Sequence, residues 1–256
     1  MDPITSTSNT KVKLVTGLQS RARTRRKHGL IVLEGVRLVR DAWLSGHVPE
    51  FVLYTPNTAD DLTDLINAAG VDLYPVDETV MAHITETQTP QGIVAVYPAP
   101  QPTLPAAPAR LLLLDAVRDP GNLGTLIRTA AGAGCDAVLL APGCADPYNP
   151  KVLRSAMGAH FRIPVAELSW EHIHTLNLPP CYLAAADADI PYDQTDWRNR
   201  WGLIIGSEAH GASQAAHDLA AATVQIPMAR ATESLNAAIA AAVILFEAAR
   251  QRRHLT

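Results

Sequence analysis

The sequence predicts an α/β protein built in two parts. Short apolar runs alternate with helix-patterned stretches along nearly the whole chain. In the second half those runs are continuous rather than alternating, as in a mostly parallel sheet covered on both faces. Between the halves lies 98–108, with five prolines in eleven residues. Such a run suits neither a helix interior nor a central strand, and reads as an extended, semi-rigid linker.

Taken in order, residues 1–10 are rich in Ser and Thr and are expected to fray. A first small α/β domain follows over 11–97. It reads as a helix over 13–26, a strand over 30–34, a helix over 36–44, a strand over 51–54, a helix over 61–69, and strands over 71–75 and 92–97. Past the linker, 109–256 forms the second domain. Its strands are expected over 111–117, 137–141, 163–165, 182–186, 203–206 and 223–226. Its helices are expected near 123–133, 151–159, 170–176, 213–220 and 235–252. The last helix is apolar on nearly every side as far as Phe246, which predicts burial against the sheet or a second subunit.

Hydrophobic residues make up 48% of the 256 and charged residues 18%, so a packed core is expected and disorder is not. No apolar stretch is long enough for a membrane span, and no signal-peptide pattern opens the chain. Cys135, Cys144 and Cys181 match no zinc spacing and fit a reducing, cytoplasmic setting. The net charge of −4 hides an asymmetry: nine of the 21 Lys and Arg fall in the first 40 residues, opposed there by only Asp2 and Glu34. Such a block suits either a phosphate backbone or a solvated helix face. Its Arg-rich, acid-poor character also fits a transit peptide, but it runs straight into the strand over 30–34.

Three motifs carry the chemistry. The first, Asp119-Pro-Gly-Asn122-Leu-Gly124, follows a buried-type strand and leads into a helix bearing Arg128. In open α/β sheets ligands bind at the carboxyl ends of strands, and an Arg there grips a phosphate with two parallel hydrogen bonds. A helix cap and a surface ion pair would also explain these residues. The second motif is a strand opening into Gly206-Ser-Glu208-Ala-His-Gly211. Its glycines would let a flat ligand lie against the backbone, although a plain strand-to-helix turn also fits. The third runs from Gln225-Ile226-Pro-Met228 to Glu233-Ser234-Leu235-Asn236, where Ser234 or Glu233 would start the last helix. Capping accounts for Ser234, but not for a polar Asn236 at the head of an apolar run.

Two other patterns are decoys. Gly132-Ala-Gly134-Cys-Asp-Ala137 follows a helix and precedes a strand, the reverse of a dinucleotide fingerprint, and reads as a helix-ending turn. His172 and His174 point to different faces of a helix and make a poor metal pair.

In this order the three motifs resemble those of the SpoU/TrmH-type RNA ribose 2′-O-methyltransferases of the SPOUT superfamily. The segment Asn149-Pro-Lys-Val-Leu-Arg-Ser-Ala-Met-Gly158 resembles that family's helix between motifs. Leu33-Glu-Gly-Val-Arg-Leu-Val39 and Thr89-Pro-Gln-Gly-Ile-Val-Ala95 are similar to its ribosomal-protein-like substrate-binding domain. The resemblance implies a SPOUT α/β knot, that is, a trefoil-knotted, mostly parallel sheet, behind the small substrate-binding domain. It implies S-adenosylmethionine as cofactor, S-adenosylhomocysteine as product, and no metal. Ala185, Gly206, Ile226, Met228, Leu235 and Asn236 would bind the cofactor, in a homodimer paired through the catalytic domain. One departure stands out: members commonly carry Gly where this chain has Arg230.

The chemistry follows. A sulfonium methyl is already electrophilic, so the enzyme must align an oxygen behind it and manage a proton. Arg128, always charged, is a poor base but would hold a substrate phosphate and stabilise developing alkoxide charge. Asn122 and Asn236 would orient the ribose and the motif loops. Glu208 would fix its loop by bonding Asn122 or Arg128, and Ser234 would cap the last helix with a second, catalytic candidacy. Arg21, Arg23, Arg25, Arg26 and Lys27 would contact RNA phosphates. By analogy the target is 23S-type ribosomal RNA. Transfer RNA, a resistance methylation of the ribosome, and a non-catalytic RNA-binding role in ribosome assembly are the alternatives. A nucleotide-dependent oxidoreductase is excluded by the missing strand–GxGxxG–helix.

Overall fold

A computed structural model describes residues 2–58, 70–87, 89–208, 211–229 and 235–253. The chain divides into two compact units, Met1–Pro100 with Tyr148–Phe161, and Gln101–Pro147 with Arg162–Thr256.

The first unit holds a four-stranded sheet of order β1-β4-β2-β3, with β1 Leu30–Glu34, β2 Phe51–Tyr54, β3 Asp72–Pro75 and β4 Ile93–Pro98. β4 runs antiparallel to both β1 and β2, and β3 runs parallel to β2. Side chains alternate across such a sheet, so both faces are apolar in turn. Val32, Leu53, Val94 and Val96 pack with α1 (Thr10–Ser20) and α4 (Glu78–His83). Ile31, Leu33, Ile93, Ala95 and Tyr97 pack with α3 (Val36–Leu44) and with Leu153 of α6 (Pro150–Ala156).

Three details depart from the sequence reading. The single helix expected over 13–26 is two, α1 and α2 (Ala22–His28), because Arg21 takes an extended conformation between them. Residues near the amino terminus, expected to fray, make regular contacts: Ile4 forms a parallel bridge with Val76, and Asn9 caps α1 through Lys11 N–H. The short α4 was not expected; Asp77 starts it by accepting from Val80 N–H. The helix expected over 61–69 lies outside the described residues.

The second unit is a seven-stranded sheet of order β7-β6-β5-β10-β8-β11-β9, every neighbouring pair parallel. Its strands are β5 Arg110–Leu114, β6 Ala137–Leu140, β7 Val165–Glu167, β8 Cys181–Ala184, β9 Ile190–Pro191, β10 Trp201–Ile205 and β11 Ala220–Gln225. Leu111–Leu114 and Leu203–Ile205 are buried, as continuous apolar runs require. The helices are α5 Pro120–Ala133, α7 Trp170–Ile173, α8 Gln214–Leu219 and α9 Ala237–Arg253. Gly134 ends α5 in the left-handed region, φ 76°, the helix-ending turn read from the sequence. One face of α9 is buried through Ala241, Ile244, Leu245 and Ala248. Successive connections carry the chain outward from β5 to β6 and β7, whereas β10 lies on the other side of β5. The carboxyl ends of β5 and β10 therefore flank a switch in strand order, where open parallel sheets form a crevice. No helix of the described residues is long and apolar enough to cross a membrane.

Candidate functional site

One strand over from that switch, at the carboxyl ends of β8, β10 and β11, lies a cleft of about 590 Å³, a size typical of small-molecule sites. Each wall begins where a strand ends. Ala185 follows β8, Gly206 follows β10, and Ile226 and Met228 follow β11. Leu235 and Asn236 close it from the head of α9. All six residues nominated from the sequence as cofactor contacts thus line one cavity. Ile205, Val224 and Ile244 add apolar surface, while Ser207, Glu208, Asp187 and His217 supply polar groups. This mixture of apolar wall and few polar groups fits a cofactor with a flat base, a polar sugar and a charged tail.

Beside the cleft, the three motifs meet through side chains. Asn122 Nδ2 donates to Glu208 Oε1 at 2.7 Å, and Asn236 Nδ2 donates to Asn122 Oδ1 at 3.1 Å. Of the two partners the sequence allowed Glu208, the structure shows Asn122. Each asparagine is itself held by a helix start. Asp119 accepts from Asn122 N–H at 2.8 Å. Asn236 Oδ1 accepts from Ala238 and Ile239 N–H at 2.9 and 3.2 Å, the geometry of an N-cap. Asn236 thus both caps α9 and reaches the motif cluster. Ser234, Glu233 and Arg230, singled out from the sequence, lie outside the described residues.

Arg128 is not part of this cluster. It is exposed on α5, does not line the cleft, and has no partner among the described residues. The basic block is in the first unit. Arg21, Arg23, Arg26 and Lys27 are exposed on or beside α2. Arg25 corrects the expectation: it is 5% exposed and its Nη1 donates to the carbonyls of Leu18 and Gln19 at 2.5 and 3.0 Å. These carbonyls are left open where α1 ends, so the guanidinium is a helix cap and has no face to offer a phosphate.

Asp187, His217, Ser207 and Ile244 were missed as cleft residues. Ile244 is two helical turns beyond Ala237, within reach of a periodicity argument; Asp187 and His217 carry no signal along the chain. Burial pushes the thiols of Cys144 and Cys181 up to about 11 and that of Cys135 up to about 12, so all three stay protonated near neutrality.

Comparison with known proteins adds independent findings. The SpoU rRNA Methylase family profile matches residues 109–246, and that of the MRM3-like substrate binding domain matches 9–95. The chain is 37% identical to the 23S rRNA (guanosine(2553)-2′-O)-methyltransferase RlmP of Bacillus subtilis, covering 96% of this chain and 98% of the relative. It is 32% identical to the mitochondrial rRNA methyltransferase 3 of Homo sapiens, over 90% of this chain and 69% of that protein. Among solved structures, AviRb from Streptomyces viridochromogenes, a SpoU methyltransferase in complex with AdoMet, aligns with TM-score 0.85 at 27% identity, covering 96% and 98% of the two chains. The AdoMet-bound rRNA methyltransferase from Sinorhizobium meliloti aligns with TM-score 0.83 at 30% identity, covering 100% and 98%.

Proposed function

The chain belongs to the SpoU rRNA Methylase family, and from that premise we propose that it methylates a ribose 2′-hydroxyl of 23S-type ribosomal RNA with S-adenosylmethionine, within the following division of labour. The observation that carries this reading is the coincidence of all six nominated cofactor residues on one cleft. Bound there, the cofactor supplies a methyl group that is already electrophilic.

The chain's own residues supply alignment, charge and exclusion of water. Gly206 and Ile226 offer backbone at the strand ends, and Met228 and Leu235 cover the apolar side of the cleft. The Glu208–Asn122–Asn236 chain of hydrogen bonds locks the three motif loops to one another. Orientation of that kind is worth most when the reacting oxygen must lie in line. Arg128 holds a substrate phosphate and stabilises negative charge on the 2′-oxygen as its proton leaves to that phosphate or to a water.

Arg128 reaches a cleft through a second copy of the chain. Its exposed face of α5 also carries Gly132, whose nearest neighbour for an added Cβ is Phe246 of α9. Phe246 and Ile239 are 49% and 55% exposed, large apolar side chains that a homodimer would cover. The catalytic unit is read as the knotted SPOUT form. RNA is gripped by the first unit, with Arg21, Arg23, Arg26 and Lys27 as its phosphate contacts. The three free thiols suit a reducing compartment, the cytoplasm.

Calorimetry with S-adenosylmethionine, together with mapping of ribosomal 2′-O-methylation in cells lacking and regaining the gene, tests the reading. One ribosomal nucleotide that loses and regains its methyl group is expected. A change confined to transfer RNA would overturn the substrate, and absence of cofactor binding would overturn the site.

A further inference from the structure

The turn after β5 holds a carboxylate that the proposed mechanism does not use. Asp115 is 2% exposed at the end of the strand. Its backbone N–H donates to Ile205 O at 2.9 Å, and its Oδ2 accepts from Ser213 N–H at 2.6 Å. Ile205 and Ser213 are the two stems of one loop, the loop after β10 that carries Gly206 and Glu208. A single residue therefore grips that loop where it leaves the sheet and where it enters α8.

The loop's described residues are tied closely to one another. Ser207 and Gly211 exchange two backbone hydrogen bonds, at 2.9 and 3.0 Å. Gly206 lies so near the returning backbone that a Cβ would sit 2.7 Å from Ala212 N and from Gly211 C. A buried carboxylate accepting an amide N–H makes a charge-assisted bond, stronger than one between neutral groups. Seven residues further on, in the first turn of α5, Asn122 bonds Glu208 of the same loop.

We infer that Asp115 is a positioning residue for the cofactor loop: its carboxylate clamps the loop's base through Ser213 N–H while Asn122 holds Glu208. Asp115 does not line the cleft and touches no reacting atom. The inference rests on the reading of the cleft as a cofactor site. Its physical content is that the loop is set in the cofactor-binding shape before the cofactor arrives.

The test compares Asp115→Leu, which is close in shape and accepts nothing, with Asp115→Asn, which keeps a carbonyl oxygen for the Ser213 amide. A third variant, Ser213→Pro, removes the donor together with the Oγ that caps α8 by accepting from Ala216 N–H, and is therefore read against Ser213→Ala, which removes the cap alone; Ser213 has φ −71° and ψ 163°, which proline adopts without strain. Two quantities are read on each folded protein: hydrogen exchange of the 203–217 segment without cofactor, and S-adenosylmethionine affinity by calorimetry. Asp115→Leu and Ser213→Pro are expected to speed exchange in that segment and to weaken cofactor binding at least about tenfold, the scale of one charge-assisted hydrogen bond. Asp115→Asn is expected to recover most of both, and RNA affinity at fixed salt is expected to stay within about twofold of wild type. Unchanged exchange and affinity in Asp115→Leu would overturn the inference, and so would an Asp115→Asn variant no better than Asp115→Leu. Should Asp115→Leu not fold, Ser213→Pro takes its place: exchange faster and binding weaker than in Ser213→Ala support the clamp, and no difference between the two overturns it. Failure of the wild-type chain to bind the cofactor would count against the function instead, and exchange alone would then judge the clamp.

Discussion

Asn122 Nδ2 donates to Glu208 Oε1 over 2.7 Å, a bond between residues 86 positions apart. It joins the first turn of α5, the helix that follows β5, to the loop after β10, on either side of the switch in strand order. The two side chains are expected to act as one unit. Asn122→Ala and Glu208→Ala should each lower methyl transfer, and the double variant should lose less than the two losses combined. A coupling of about 0.5–3 kcal/mol in a double-mutant cycle is the expected outcome. Strict additivity would mean that the bond has no role in the reaction.

Arg128 is exposed and unpartnered among the described residues, so its removal should leave the fold intact. Arg128→Ala is expected to cut transfer of labelled methyl to RNA by about 10²–10³-fold, the scale of losing one charge-stabilising donor. Arg128→Lys keeps the charge but not the two parallel donors, and should restore only part of the rate. Mixing Arg128→Ala subunits with subunits impaired at Glu208 provides a second reading. Recovered activity in the mixture is expected if Arg128 serves the cleft of a second copy.

The basic block should separate into one structural residue and several binding ones. Arg25→Ala removes a buried cap from α1 and is expected to lower stability by about 1.5–3 kcal/mol. Arg23→Ala and Lys27→Ala, both at exposed positions, should leave stability nearly unchanged. Each should weaken RNA binding and flatten its dependence on log salt by about one unit of slope. Denaturant titration and filter binding across a salt series distinguish the two behaviours.

Gly206 admits no side chain, since a Cβ would press on backbone at 2.7 Å. Gly206→Ala must move the loop. It is expected to cost about 1–3 kcal/mol and to abolish detectable cofactor binding by calorimetry, with the unfolding transition still cooperative.

At the opposite, amino-terminal edge of the sheet, Asp136 accepts from Ala109 N–H, Arg110 N–H and Arg110 Nη2 at 2.7, 2.9 and 2.5 Å. Burial alone would raise its pKa, but these bonds outweigh burial and hold the carboxyl below its ordinary range. A depressed carboxylate contributes stability that is present above its unfolded pKa, about 3.9, and is lost as pH falls through the folded value. Asp136→Asn should therefore cost about 1–2 kcal/mol at pH 7, and the difference should shrink below about pH 4. Thermal melts of both proteins across that range are the measurement.

Much of this molecule is legible along the chain. β1, α3 and β2 fall on the residues that periodicity assigns them, whereas α5, expected from 123, begins at Pro120 because Asp119 caps it by accepting from Asn122 N–H. Gly134 marks its end through left-handed backbone geometry. Four of the six nominated residues that line the cleft, Ala185, Gly206, Ile226 and Met228, lie just past a strand end, where ligands bind in open parallel sheets. These are local features: alternation, capping and turn chemistry act over a few residues, so the order of amino acids suffices to reveal them.

Packing settled the rest. Nothing local distinguishes Arg25 from Arg23 or Arg26; its burial depends on where α1 ends and how α2 folds back. The segment Tyr148–Phe161 lies in sequence among the strands of the second unit, yet Leu153 belongs to a core of the first. Asp115 reads as one more acidic residue after an apolar run until β10 is placed beside β5 and Ser213 N–H comes within 2.6 Å. Strand and turn identity come from energies that neighbouring residues share. Which carboxylate meets which amide across 98 positions comes from strand order, and that is fixed only when the whole sheet buries its apolar faces together.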